Sequence, residues 1–373
     1  MSSLRRSLLP PPVRKALGED APRALRELLA KGAMPGMPAD ALLGGVWLLS
    51  QGEDEALAEL ARATLRNVPA PLRAGLARVE LHADVLGALL ELASQDLEFA
   101  DIWLRQPHAR DADFVRLAGM ATELVAERVA TNEAKLLQCP EAIAALYKNS
   151  NTRMSTSDRL IELAVRNKVE VVGLKAFELA AKAIAGELIA EASDEPDFDD
   201  VLFNACAAEA IDIPKGSDTH ELDLETGAEV PKSEVKKHAV RFEDLKVSAK
   251  VRRALVGKGS DRMLAVRDGN PMVREAGVKS EFLTENEVVQ ITANRNSSQD
   301  VLALLGKDPE WTRSHQVKLN LVANPRTPIQ TATKFLTHLR DNELKLIAGS
   351  RDASGAIRQM AKQMVEKRTG KGG

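Results

Sequence analysis

Apolar residues recur along this chain at helical spacing, in short runs broken by proline, glycine and Asx residues. ALLGGVWLLSQ (Ala41 to Gln51), EALAELARATL (Glu55 to Leu65) and VLGALLELASQ (Val85 to Gln95) each place Leu and Ala on a helix face. GAMPGMPAD, VPAP and the Pro107 region punctuate them. The periodicity of this half is irregular.

The C-terminal part is more regular. In VANPRTPIQTATKFL (Val322 to Leu336) a proline-rich phrase stands before an apolar run. From Ile329, steps of 28 residues reach Val301 and Val273 in one direction and Ile357 in the other. Five places before these marks stand Asp268, Asn296, Asn324 and Asp352, residue types favoured at caps and turns. Ten places before them stand Met263, Ile291, Leu319 and Ile347. A fixed period of this size marks a repeat array.

Each unit holds two helix starts. One follows the Asx phrase, where either Asn324 or Thr327 caps and Pro325 or Pro328 takes the first helical position. The other lies half a period on. There Thr284 and Glu287 spell a capping box, and Asp341 fills a similar place. A helix pair this short cannot bury its apolar face alone, so neighbours must stack. The N-terminal half carries one related phrase. LYKNSNTRMSTSDRLIELAVRN (Leu146 to Asn167) lies over LVANPRTPIQTATKFLTHLRDN, matching Asn149 to Asn324, Thr152 to Thr327 and Met154 to Ile329.

The expected fold is therefore all-α: an α-solenoid of HEAT-like helical repeats, in two halves joined by an acidic linker. The expected boundaries are a flexible N-terminus (1–20), an N-terminal helical-repeat domain (21–190), an acidic and partly disordered linker (191–246), a C-terminal repeat domain (247–367) and a flexible tail (368–373). Within the linker, DDVLFNACAAEA reads as one helix and Ile213 to Lys237 as flexible.

The Asn-Pro-x-Thr-Pro phrase, the Arg-Asx pairs and the helix-pair unit resemble the HEAT-like and leucine-rich-repeat-variant families of bacterial helical-repeat proteins. With KNSNTR before the linker and ANPRTP near the end, the two halves also resemble an uncharacterised group of large bacterial helical-repeat proteins. The resemblance covers Val247 to Met364 and, more loosely, Thr131 to Asn167. The step here is longer than in the usual variant repeat, and the copy at 295–298 lacks the prolines. The resemblance implies a binding or scaffolding role and supplies no catalytic residue.

Composition narrows the picture. Hydrophobic residues make up 44% and aromatic ones only 3%, so the core must be built from Leu, Ala, Val and Ile. That suits helices and not a β-sandwich. The N-terminus lacks the apolar core of a signal peptide, and no apolar run reaches membrane-spanning length, so the reading is a cytoplasmic chain with no membrane contact. Cys139 and Cys206 are too far apart for a metal knuckle and read as reduced, structural thiols. Net charge is −3 but uneven. Glu191 to Val230 holds about thirteen acidic residues against Lys215 alone, whereas Arg241 onward carries a surplus of about nine positive charges. An acidic linker folding back on a basic array would compete with an acidic partner.

No catalytic motif stands out. The six histidines form no HExxH or HxH, which leaves only a metal site assembled from residues distant in the sequence. GKGS (Gly257 to Ser260) lacks the glycine and Lys-Ser/Thr order of a phosphate loop and reads as a turn between helices. GxSxG and GxGxxG are absent. The expectation is no enzyme and no cofactor. The patterned polar feature is a column of arginines, Arg267, Arg295 and Arg351, one place before the Asx marks. Such a column either grips an acidic or phosphate-bearing partner, or caps the preceding helix and pairs with Asp268 or Asp352. Ala323 interrupts it, which favours the structural alternative. Trp47, Trp103, Trp311 and Phe335 read as core. The functional expectation is a protein–protein scaffold, with DNA-backbone binding by the basic array as the alternative.

Overall fold

The computed structural model describes residues 3–185, 193–212, 220–222, 229–231, 233–368 and 370. These residues are helical apart from loops and one short strand pair, so the chain is all-α. It divides into two compact units, Met1–Leu174 and Lys175–Gly373.

The first unit opens with a 3-10 turn (Arg6–Leu8) and helices α1 (Pro11–Ala16), α2 (Arg23–Ala30), α3 (Ala39–Ser50), α4 (Glu55–Arg66) and α5 (Ala70–Leu76). It continues with α6 (Ala83–Ala88), α7 (Leu90–Gln95), α8 (Leu97–Leu104) and α9 (Asp111–Met120). It ends with α10 (Glu123–Ala130), α11 (Glu133–Gln138), α12 (Pro140–Lys148) and α13 (Met154–Arg166). The starts follow local chemistry. Asp54, Asp96 and Asn132 each accept a backbone N–H from the first turn of the helix that follows, and prolines open α1 and α12.

The first residues, expected to be flexible, are packed in. Leu4, Leu9, Val13 and Ala16 are buried, and the Leu4 N–H donates to Asp84 Oδ2 at 2.8 Å. Gly44 and Gly45 of α3 make this approach possible: a Cβ there would stand 2.9 Å from Leu9 Cδ2 and 2.7 Å from Val13 Cγ1. Two glycines that weaken a helix in isolation thus open a seat for the N-terminal segment.

The second unit comprises α14 (Phe177–Ile184), α15 (Phe198–Glu209), an antiparallel pair β1 (His220–Leu222) and β2 (Glu229–Pro231), α16 (Ser233–Asp244), α17 (Val247–Val256) and α18 (Gly259–Ala265). Beyond these lie α19 (Pro271–Lys279), α20 (Glu285–Ala293), α21 (Gln299–Lys307), a 3-10 turn (Trp311–Arg313), α22 (His315–Ala323), α23 (Ile329–Leu336), α24 (Asp341–Gly349) and α25 (Gly355–Arg368). The acidic stretch 191–246 thus contributes α15 and α16. Most of Ile213–Lys237, expected to be flexible, lies outside the described residues, as do Lys371–Gly373 of the tail. Arg368 ends α25 and donates to the carbonyls of Thr337 and Leu339 at 3.0 and 2.9 Å.

From α18 onward the packing is regular. α18 packs on α19 and α20, α19 on α21, α20 on α21 and α22, α21 on α22 and α23, and α22 on α23 and α24; α25 closes against both α23 and α24. Buried side chains from Met263 to Ala361 form one hydrophobic core along this series.

The helices α19 to α25 begin at 271, 285, 299, 315, 329, 341 and 355. The step is about fourteen residues, so the 28-residue phrase holds two helix-and-turn units. Five of these helices end alike. The C-cap side chain accepts the N–H two residues on: Ser280 from Phe282 (3.3 Å), Asn294 from Asn296 (2.8 Å), Asp308 from Glu310 (2.8 Å), Asn324 from Arg326 (3.0 Å) and Ser350 from Asp352 (3.1 Å).

This register corrects the fixed-step columns. Asn324 is an acceptor in its turn, whereas Asn296 and Asp352 are donors in theirs, two residues further on. Ile329 is 52% exposed at the start of α23, while Val273, Val301 and Ile357 are buried at the third place of their helices. Leu319 is half-buried where Leu321 is fully buried. The 3-10 turn at Trp311 lengthens the link into α22, and a short link before α24 restores the phase. Phe335 and Trp103 are core, with Trp103 Nε1 donating to the Leu86 carbonyl at 3.0 Å; Trp47 and Trp311 are only half-buried.

The overlay of the two Asn phrases has a physical basis. Asn324 Nδ2 donates to the carbonyls of Thr292 (2.8 Å) and Asn294 (2.9 Å), at the end of α20. Asn149 Nδ2 donates to Ala118 (3.0 Å) and Ala121 (2.9 Å), at the end of α9. Each side chain satisfies two carbonyls that a helix end leaves unpaired.

Candidate functional site

Two places in the second unit gather polar chemistry. The first is the edge made by the loops that precede α19, α21, α23 and α25. Arg267, Arg295 and Arg351 all lie on it and are exposed. Arg326, exposed in the loop before α23, supplies the arginine that the fixed step assigned to Ala323. Every loop of this edge therefore carries one guanidinium. Arg295 forms an ion pair with Asp352 at 2.6 Å, reaching the loop two places along. Arg326 Nη1 donates to the Asn296 carbonyl of the preceding loop at 3.2 Å. Asp268 pairs with Lys250 at 3.1 Å rather than with Arg267. Arg267 and Arg351 have no ion-pair partner among the described residues. Protein packed around Arg267 draws its guanidinium below the usual arginine value. The charge persists at neutral pH, because the ordinary value is so high.

The second place is a buried polar cluster where α15 to α18 and α20 meet. Cys206 of α15, His238 of α16 and Asp261 of α18 are all buried. Cys206 Sγ lies 3.8 Å from His238 Nδ1, and His238 Nε2 lies 3.0 Å from Asp261 Oδ1. That second approach lacks hydrogen-bond direction, so Nε2 and Oδ1 are both left without a hydrogen bond. The other carboxylate oxygen is fully engaged: Arg253 is ion-paired to Oδ2, which also accepts the Lys258 N–H at 2.8 Å.

The turn Gly257–Ser260 makes this arrangement possible. It links α17 to α18, as the sequence suggests. At Gly257 a Cβ would lie 2.3 Å from both the Arg253 carbonyl and Asp261 Oδ2, so only glycine fits. Ser260 and Ile211 exchange hydrogen bonds, N–H to carbonyl and N–H to Oγ, each 3.0 Å, which fastens the end of α15 to α18. Arg252 and Arg253 lie over the Phe203 ring at 4.9 and 5.5 Å. Arg262 pairs with Glu287 at 2.9 Å and donates to the Gly257 carbonyl at 2.7 Å. Glu287 also completes the Thr284 capping box expected from the sequence.

Cys206, His238 and Asp261 follow the order of a nucleophile, a base and an orienting carboxylate. The chemistry does not. Burial pushes the Cys206 thiol up to about 12, and the side chain has no exposed surface. A protonated, enclosed thiol is not a nucleophile. In the first unit, an open hollow of about 660 Å³ is lined by Val68, Arg73, Phe99 and Ile102, but Arg73 is already paired with Asp96.

No sequence signal marks the three-residue cluster, whose members stand far apart on separate helices. Arg326 lies three residues past the position that the fixed step assigned and one past the place of Arg295 and Arg351 in the Asx turn, so no fixed spacing finds it. No protein-family model matches the chain, and neither curated proteins nor solved structures yield a match. Among the described residues, no helix is long and apolar enough to cross a membrane.

Proposed function

We propose that the chain is a non-enzymatic protein–protein interaction scaffold whose second unit is a short α-solenoid of HEAT-like repeats. The observation that carries this reading is the run of helix-and-turn units from α19 to α25, each packed on the next but one and most also on the next, with one arginine on every second loop. A repeating unit lines up equivalent side chains along an edge, and such edges suit extended partners.

The edge also supports a concave form. Packed helices lie about 8–10 Å apart, so loops two repeats apart on a straight stack would be roughly 20 Å apart. Arginine and aspartate side chains together do not span that gap, yet Arg295 reaches Asp352. An inward curve with Arg267, Arg295, Arg326 and Arg351 along it favours an acidic peptide segment as the occupant. The same four cations keep DNA-backbone binding as the second reading.

The test is a fluorescence-anisotropy titration of the full chain with an acidic peptide and, separately, a DNA duplex. The comparison protein carries Arg267→Gln, Arg295→Gln, Arg326→Gln and Arg351→Gln together. The expected outcome is peptide binding that weakens at least tenfold in the variant, with little binding of DNA. Duplex binding lost in the variant, with no peptide binding, would transfer the edge to nucleic acid. Peptide binding that ignores the four substitutions would remove the edge from the function.

A further inference from the structure

We propose that Cys206, His238 and Asp261 form a binding site for one zinc ion, which ties α15 and α16 to α18. The inference is independent of the scaffold reading. It rests on three facts: the donor set, its geometry, and two buried polar atoms without hydrogen bonds.

The donor set is one thiol, one imidazole and one carboxylate, drawn from three helices, with the ligand atoms all within 4.8 Å of one another. Sulfur, nitrogen and oxygen together suit Zn²⁺ among the common divalent ions. A tetrahedral zinc with Zn–S of about 2.3 Å and Zn–N of about 2.0 Å holds those two atoms about 3.6 Å apart. The Cys206 Sγ to His238 Nδ1 distance is 3.8 Å. Among the described residues no fourth such side chain joins the group, so water would complete the coordination.

The carboxylate is presented in the manner of a metal ligand. Arg253 and the Lys258 N–H hold Oδ2, which fixes the carboxylate plane and leaves Oδ1 facing His238. Oδ1 and Nε2 are buried, close, and misaligned for a hydrogen bond. Buried polar atoms without partners are costly; a cation held by sulfur, one ring nitrogen and Oδ1 would give Oδ1 its partner, and would do the same for Nε2 when the ring binds through that nitrogen. A small rotation of the imidazole would bring one ring nitrogen towards both other donors. Binding balances simply: the Cys206 thiol gives its proton to solvent, Zn²⁺ releases bound waters, and the thiolate and carboxylate offset its charge while Arg253 stays on Oδ2.

The test uses the full chain, freed of metal and titrated with Zn²⁺ and with Co²⁺ as a spectroscopic probe. The proposal expects one zinc per chain by elemental analysis. With cobalt it expects a thiolate-to-metal charge-transfer band together with the visible bands of a tetrahedral ion. Cys206→Ser should weaken binding by at least about 100-fold and abolish the charge-transfer band, and Cys139→Ser should change neither. Should Cys206→Ser fail to fold, His238→Gln and the band in the unaltered chain decide the matter. A chain that takes up cobalt without the charge-transfer band overturns the proposal. So does one that takes up neither metal, or a folded Cys206→Ser protein that binds as tightly.

Discussion

Asn324 does three things with one side chain. Its amide nitrogen closes two carbonyls at the end of α20, and its oxygen takes the Arg326 N–H that shapes the next turn. Asn149 does the same at α9 in the first unit, where Asn151 supplies the turn N–H at 2.9 Å. Buried carbonyls left unpaired cost about 1–3 kcal/mol. Asn324→Ala and Asn149→Ala should each lower stability by about that amount, read as a fall in urea midpoint at constant slope. A midpoint unchanged in both would mean that water replaces the amide without loss. The sequence overlay placed these two residues together correctly, because a side chain that caps a neighbouring helix has few substitutes. The fixed 28-residue step misplaced Asn296, because an Asx residue two places along a turn looks identical in one dimension.

Between elements, close packing is set by small residues. Gly306 of α21 faces α23, where a Cβ would come within 2.3 Å of Thr331 Cγ2. Gly349, the last residue of α24, has nothing within 4 Å of the same position. In a helix Ala normally beats Gly by about 1 kcal/mol. At Gly306 the clash should reverse that sign, so Gly306→Ala should destabilise by about 1–3 kcal/mol, while Gly349→Ala should be neutral or stabilising. Thermal unfolding of the two variants side by side checks this. A Gly306→Ala protein that melts above the parent would show that α21 and α23 have room to move apart. Helix existence was legible from apolar spacing and caps in α19 to α25. The 3-10 turn at Trp311 was not, because a two-residue insertion leaves the helical period on either side intact.

At the scale of the whole molecule, carboxylates in both units are held below their ordinary values. For Asp84 and Asp96, burial pushes the value up but is outweighed. The Leu4 N–H and Arg110 act on Asp84, and the Phe99 N–H and Arg73 on Asp96. In Asp300 burial is likewise outweighed, by Ser298 and Arg274; in Glu343 the Arg340 N–H is the leading cause of the lowering. A depressed carboxylate stabilises fully above its unfolded value, about 3.9 for Asp and 4.3 for Glu, and this stabilisation is lost as pH falls through the folded value. Stability should therefore hold from neutral pH down to about 5 and decline below it, with Asp84→Asn and Asp300→Asn each making the decline shallower. A urea midpoint that stays level to about pH 3 would contradict this. The sequence by itself determined that the chain is helical and that two helix starts fall within each 28-residue step of its C-terminal part, because apolar period and capping are local properties. Only the tertiary structure decided the rest. It seated Leu4, Leu9 and Val13 against paired glycines, brought Arg326 onto the arginine edge, and gathered Cys206, His238 and Asp261 in one buried cluster. Each depends on which helices meet, and contacts between distant residues leave no spacing to read along the chain.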